Sequence, residues 1–356
     1  MHRKIACFLL GLALPVSSLI AQNAPSSAPT ALPTFTRSFT AGGKQYSVVV
    51  AGRDPAVGGT TIIPTLLVPV SLAFDGYRDA SGERLVLNPT ADVSKVAQSP
   101  IFQKYNFATG TTQYGDAVQR AEFYKEASAK NGKAAWHTLL GQPRIAPAIQ
   151  IQIPAADGYL LTSKRTGHSL AIVDLEFVQK ELFQQLAQAN LRTDTLVIAV
   201  TKNTMFYPLN DATVCCSWGA HGVHLNPSGP SLSPAQPFIL GTYLDSGVVP
   251  RYSGIQTLSE QLVEWMNDPL HGTDTNRFPA WRNPPPNNSC GGRGEGSAYR
   301  FAEPTDSASM SNATQVTMHG TVYHLANVAL LPWFTKAAIR GRSGTRIVFQ
   351  TRMSSQ

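Results

Sequence analysis

Cysteine and charge are scarce in this chain, and no apolar run beyond the first twenty residues is long enough to cross a bilayer. Only 14% of the side chains are charged, against 43% hydrophobic. That balance excludes a disordered polyelectrolyte and does not match the Glu/Lys-rich composition of helical bundles. No Lys/Arg cluster is interleaved with aromatics, so no nucleic-acid partner is expected. A Gly-x-Ser-x-Gly elbow is absent, and with it the usual signature of a serine hydrolase; Ser253-Gly254 and Ser169 offer nothing distinctive. The glycine cluster between Gly292 and Gly296 lacks a strand-then-helix context, which removes a nucleotide fingerprint. There is no internal repeat.

What is present is a loop-rich and strand-rich composition, with 28 Gly and 25 Pro in 356 residues. The chain is long enough for a substantial core. The N-terminus reads as an export signal: His2, Arg3 and Lys4 form a basic start, Ile5 to Leu14 is apolar, and small residues lead to Ala21. Cleavage after Ala21 would give a secreted, extracellular or periplasmic protein and lower the formal charge from +7 to +5, because Arg3 and Lys4 leave with the signal. Residues 22–34, rich in Ala, Pro, Ser and Thr, read as a flexible linker. Residues 35–352 then form the main domain, with 35–168 and 169–352 as two conceivable lobes.

After export three cysteines remain: Cys215, Cys216 and Cys290. An oxidising compartment favours a disulfide. The sequence leaves open whether one of the adjacent pair bridges to Cys290 or the two pair vicinally, and the spacing matches no common zinc pattern.

The periodicity predicts an α+β fold with a mixed or antiparallel sheet and several helices. Tyr46–Ala51 and Thr61–Phe74 read as strands, with Pro64 and Pro69 pointing to an edge or a bulge in the second. Tyr77–Leu87 reads as a hairpin turning at Gly82. Helices are expected over Pro89–Gln98, Thr112–Ala129 and Leu175–Ala189, the last capped by Asp174. Trp136–Leu140, Ala146–Ile153, Leu170–Val173, Leu196–Thr201 and Pro237–Leu244 read as strands, and the order around Asp174 suggests a βαβ unit. A closing helix over Val322–Lys336 and a strand over Arg346–Thr351 complete the chain. Asp116 and Arg120 are spaced to pair on one helix face.

Thr257 to Pro269 is the most informative stretch. Ile255, Leu258, Leu262, Trp265 and Met266 fall on one helical stripe, and Glu260, Glu264 and Asp268 fall on the opposite face. Ser253 with Gln256, or Thr257 with Glu260, supplies a capping box, and Pro269 ends the helix. Taken alone, this is a capped helix whose acids face water.

The stretch Ser259-Glu260-Gln261-Leu262-Val263-Glu264-Trp265-Met266-Asn267-Asp268-Pro269 resembles the Ser-His-Glu-x-x-Glu-Trp-x-x-Asp-Pro signature of an uncharacterised family of secreted bacterial proteins. Thr112-Gln113-Tyr114-Gly115-Asp116-Ala117-Val118-Gln119-Arg120-Ala121-Glu122-Phe123 resembles a second segment of that family. The signature is similar to the metal helix of zinc metallopeptidases, where two residues bind zinc and a glutamate activates water. The resemblance therefore implies a zincin-like helix packed on a sheet. Its chemistry is degenerate here. Glu260 stands at the ligand His and Gln261 at the catalytic Glu, and glutamine cannot act as a general base; of the chemical positions Glu264 survives.

Cys290 and Glu295 keep the spacing of a further family segment, but Ala298 stands at its acid, and Asn327 replaces an acid after Tyr323-His324-Leu325-Ala326. His221-Gly222-Val223-His224 reads as a loop with two imidazoles three residues apart. Candidate metal ligands are thus Glu260, Glu264, His221 and Glu295, with vestigial catalytic positions at Glu264 and Gln261. No cofactor is expected, although zinc or calcium would be the ion if one were bound. The resulting expectation is a secreted metallopeptidase-like protein with a degraded metal site, serving a peptide or cell-envelope ligand. The alternatives are an active metallohydrolase with unusual ligands and an extracellular binding module unrelated to peptidases.

Overall fold

The computed structural model describes residues 32–41, 44–107, 109–127, 136–163, 166–187, 191–225, 235–250, 252–271 and 314–326. The fold is α+β, and its centre is a mixed sheet. The Thr65–Arg78 strand runs through the middle, with every residue from Thr65 to Phe74 buried. It pairs in parallel with Ile149–Ile153 on one side and Leu196–Lys202 on the other. Leu196–Lys202 pairs in parallel with Gln236–Val249, and Gly219–His224 adds an antiparallel strand. Continuous apolar runs such as Leu196 to Val200 are what a strand covered on both faces requires. The 65–78 and 196–202 strands are neighbours, so the two conceivable lobes share one sheet.

Alternation sorts these side chains between two cores. Leu66, Val68, Val70, Leu72 and Phe74 point to one face and meet Val178, Leu182 and Leu186 of the Leu175–Leu186 helix. Leu67, Ile198, Val200 and Ile239 point to the other. There they meet the Thr90–Ala97 helix, the Tyr114–Glu122 helix and the Gln256–Asn267 helix. The expected hairpin is present, with Thr65–Arg78 antiparallel to Arg84–Leu87 and Gly82 at φ 86°.

The Asp174 cap is formed as the sequence predicts: its side chain accepts the Phe177 N–H at 2.6 Å. Asp174→Ala is expected to lower stability by about 1 kcal/mol, read as a shift of the urea midpoint with an unchanged slope.

Several expectations need correction. Pro69 lies inside a central strand, opposite Val200. Its place is tolerated because the ladder on the other side is interrupted there, between Ile145 opposite Leu67 and Ile149 opposite Val70. Ser169–Asp174 does not join the sheet of Leu196–Lys202; it pairs with Gly158–Thr162 and Thr204–Tyr207 in a separate three-stranded sheet. The strand–helix–strand order therefore bridges two sheets, which pattern alone does not distinguish from one. Val322–Leu325 is not helical: Thr321–Leu325 pairs with Thr314–Met318 as a hairpin, burying Val316, Tyr323 and Leu325. The stretches expected to form a signal peptide, a linker (to residue 31) and a strand over Arg346–Thr351, together with Cys290, Glu295 and Asn327, lie outside the described residues. Among the described residues no helix is long and apolar enough to cross a membrane.

Candidate functional site

The Gln256–Asn267 helix starts after Ile255 and ends before Asp268-Pro269, where the sequence ends it. Its apolar stripe, Leu258, Leu262, Trp265 and Met266, enters the core with Ile255. The Tyr114–Glu122 helix comes so close that a side chain at Gly115 would clash with Met266 Sδ. The N-cap is Ile255, so neither Ser253 nor Thr257 stands at the cap position. Thr257 Oγ1 donates to the Thr242 carbonyl at 3.0 Å, and Ile255 supplies no side-chain cap.

The acidic face is the larger surprise. Every residue of the helix is buried, and Glu260, Glu264 and Asp268 are 6%, 5% and 4% exposed. They do not face water, which removes the capped-surface-helix reading. The sheet, the Tyr114–Glu122 helix, the Lys44–Ala51 strand and the Thr321–Leu325 strand all pack against this one helix. Helical periodicity places residues on opposite faces, but it carries no information about what distant segments will cover them.

Gln261 is the centre of what the acids do. Its Nε2 donates to Glu264 Oε2 at 2.6 Å, and its Oε1 lies 3.2 Å from His221 Nδ1. His221 Nδ1 is also 3.7 Å from Glu264 Oε2. An Nδ1–H tautomer of His221 donates to Gln261 Oε1, while Glu264 Oε2 at 3.7 Å lies beyond hydrogen-bond reach. One neutral amide thus stands between an imidazole and a carboxylate. Beside it, the His271 ring lies 5.1 Å from the His221 ring, with His271 Nδ1 3.1 Å from Asp268 Oδ2. Asp268 is buried, whereas the His271 side chain is 49% exposed, so His271 is the solvent-facing member of the group.

On the side of the Tyr114–Glu122 helix, the Tyr114 hydroxyl donates to the Ala326 carbonyl. Burial and then the charge of Glu260 hold that phenol well above the usual tyrosine range. Asn267 Nδ2 donates to Glu122 Oε1 at 3.0 Å, and burial pushes the Glu122 carboxyl up to about 8. Asp116 does not depend on Arg120: it accepts from Thr112, from the Thr138 N–H and meets His137 Nδ1 at 2.7 Å, while Arg120 reaches the Trp136 carbonyl.

The sequence candidates therefore divide. His221, Gln261 and Glu264 come together; the charges of both Glu260 and Glu264 act on the Tyr114 phenol; Glu295 lies outside the described residues. The His221–His224 segment is a strand, not a loop. Three residues along a strand reverse the side chain, so His221 meets the helix while His224 stacks on Phe183 at 3.9 Å on the opposite face. The two cannot share one ion. Cys215 and Cys216 lie together at disulfide distance, just ahead of the strand that carries His221. Sequence reasoning missed His271 and Tyr114. The Asp268–His271 spacing of three was the available signal for the first, and nothing in the pattern marked the second.

A zinc site of the metallopeptidase kind does not fit these residues. The base position carries Gln261, and its amide already bonds Glu264. Among the described residues no three His, Cys, Asp or Glu side chains gather as metal ligands. No protein-family model, no curated protein and no solved structure matches the chain.

Proposed function

We propose that this is an exported protein built around a metallopeptidase-like helix on which Gln261, at the base position, bridges His221 and Glu264 in place of a metal, and that it acts by binding rather than by zinc-dependent hydrolysis. The observation carrying this reading is the Gln261 bridge: a neutral amide donates to Glu264 and lies against His221 Nδ1, so it spans the imidazole and the carboxylate that a cation would otherwise join. A peptide or cell-envelope ligand is the partner class, approached from the His271 side, where the group reaches solvent. A second reading, an active metallohydrolase with His221 and Glu264 as ligands, is favoured by one observation, the neighbouring His271 ring.

Elemental analysis of the mature protein, dialysed without chelator, separates the two. The expected result is less than a tenth of an equivalent of any transition metal. A stoichiometric metal that disappears in Glu264→Ala supports the second reading and overturns the first.

A further inference from the structure

The sequence gives Ser253 no distinction, yet the fold puts it beside a base. Ser253 lies in the Tyr252–Gly254 strand, which runs directly into the Gln256–Asn267 helix. Gly254, at φ 59°, makes the turn between them, a conformation that glycine adopts without penalty. The serine therefore stands at the tip of a strand–turn–helix junction. Across from it, the 314–325 hairpin brings His324 Nδ1 to 2.7 Å from Ser253 Oγ. The other ring nitrogen, His324 Nε2, lies 3.0 Å from Gln315 Nε2. Seventy-one residues of chain separate Ser253 from His324, so no local spacing could have announced the contact.

We propose that Ser253 and His324 are a nucleophile and general base for acyl transfer, with Gln315 as a positioning residue. Turning the exposed Gln315 amide over about its last bond exchanges Nε2 for Oε1 and presents an oxygen to His324 Nε2. That places the imidazole proton on Nε2 and makes Nδ1 the acceptor for the serine hydroxyl. Burial holds His324 below the usual histidine range, so the ring is neutral and able to accept a proton near pH 7. Both Ser253 and His324 remain partly exposed, so a substrate can reach them. Ile255 makes no side-chain cap, and the positive end of the helix follows the serine directly, which favours a developing oxyanion.

The step balances without any further reagent. Ser253 Oγ bonds the acyl carbon and passes its proton to His324 Nδ1. The carbon–oxygen bond to the leaving group then breaks, and the alcohol departs with that proton. Water, deprotonated by the same nitrogen, hydrolyses the acyl-serine and restores both side chains. The third member is an amide and not a carboxylate, so the imidazolium is stabilised less than in a Ser-His-Asp triad. The substrate class is accordingly a carboxylic ester with a good leaving group, not a peptide bond.

The test uses the full mature chain in the presence of a chelator, which keeps it independent of any metal at the Gln261 group. A fluorophosphonate probe is expected to add once, at Ser253, as mapped by peptide mass spectrometry. Hydrolysis of p-nitrophenyl acetate should fall at least about 100-fold in both Ser253→Ala and His324→Gln. It should be retained or raised in Gln315→Glu, which fixes the accepting oxygen, and fall in Gln315→Leu. The wild-type rate should also fall as pH drops through the titration of His324, a dependence absent from a purely structural hydrogen bond. No adduct at Ser253 on the folded wild-type chain overturns the proposal, whatever the variants do. Labelling of Ser253 that is unchanged in folded His324→Gln overturns it too.

Discussion

Glu122→Gln is expected to make the protein more stable at pH 9 and to flatten its stability between pH 5 and 8. Glu122 is fully buried between the Tyr114–Glu122 helix and the end of the central helix, with its carboxyl raised from 4.5 to about 8, chiefly by burial. Asn267 Nδ2 bonds one carboxyl oxygen. Among the described residues, Glu122 Oε2 and Asn267 Oδ1 are both buried acceptors with no donor. A proton on Glu122 supplies the missing donor, as in a carboxylic acid paired with an amide.

The sign follows from proton counts. Between pH 4.5 and 8 the folded chain keeps a proton that the unfolded chain releases, so rising pH favours unfolding. The loss approaches about 5 kcal/mol by the upper end of that window. Glutamine carries the donor permanently and has no proton to lose. Thermal or urea unfolding of both proteins at pH 5, 7 and 9 checks this. Wild type should weaken steeply while the variant stays level, and two parallel curves would show that Glu122 is not the source of the slope.

The second large effect is expected from Gln261→Glu. This restores the acid that the resemblance places there, but it removes the donor that now bonds Glu264 at 2.6 Å. Two carboxylates then meet in a buried site, 5% exposed at Glu264. Uncompensated buried charge of this kind costs about 3–5 kcal/mol. Two acids this close share one proton, so the loss should be smaller at pH 5 than at pH 8. Added zinc should recover part of the lost stability in the variant and none in wild type. A melting temperature unchanged at pH 8 would mean that the amide is not holding the site together.

Much of the scaffold was legible because it depends on short-range pattern. Asp174 reads as a cap and is one; Ile255, Leu258, Leu262, Trp265 and Met266 read as a core stripe and form one. The α+β class followed from strand and helix periods that each need only a dozen residues. What was not legible depends on distant chain. The burial of Glu260, Glu264 and Asp268 is produced by strands near residues 50, 220 and 323, and by the helix near residue 118. The spacing of His221 and His224 suggests a pair, but the segment is a strand and the two side chains diverge. Val322–Leu325 was drawn into a helix by the apolar residues after it, although its own alternation fits the hairpin.

The central claim is that Gln261 occupies the place of a cation between His221 and Glu264. The most direct measurement is nitrogen-15 NMR of the imidazole rings in the mature protein, before and after one equivalent of zinc. The account predicts His221 as the neutral Nδ1–H tautomer, hydrogen-bonded through Nδ1, with its resonances unchanged by zinc. Movement of the His221 Nε2 resonance at one equivalent of zinc, lost in Glu264→Ala, would contradict it and show that this helix still holds a metal.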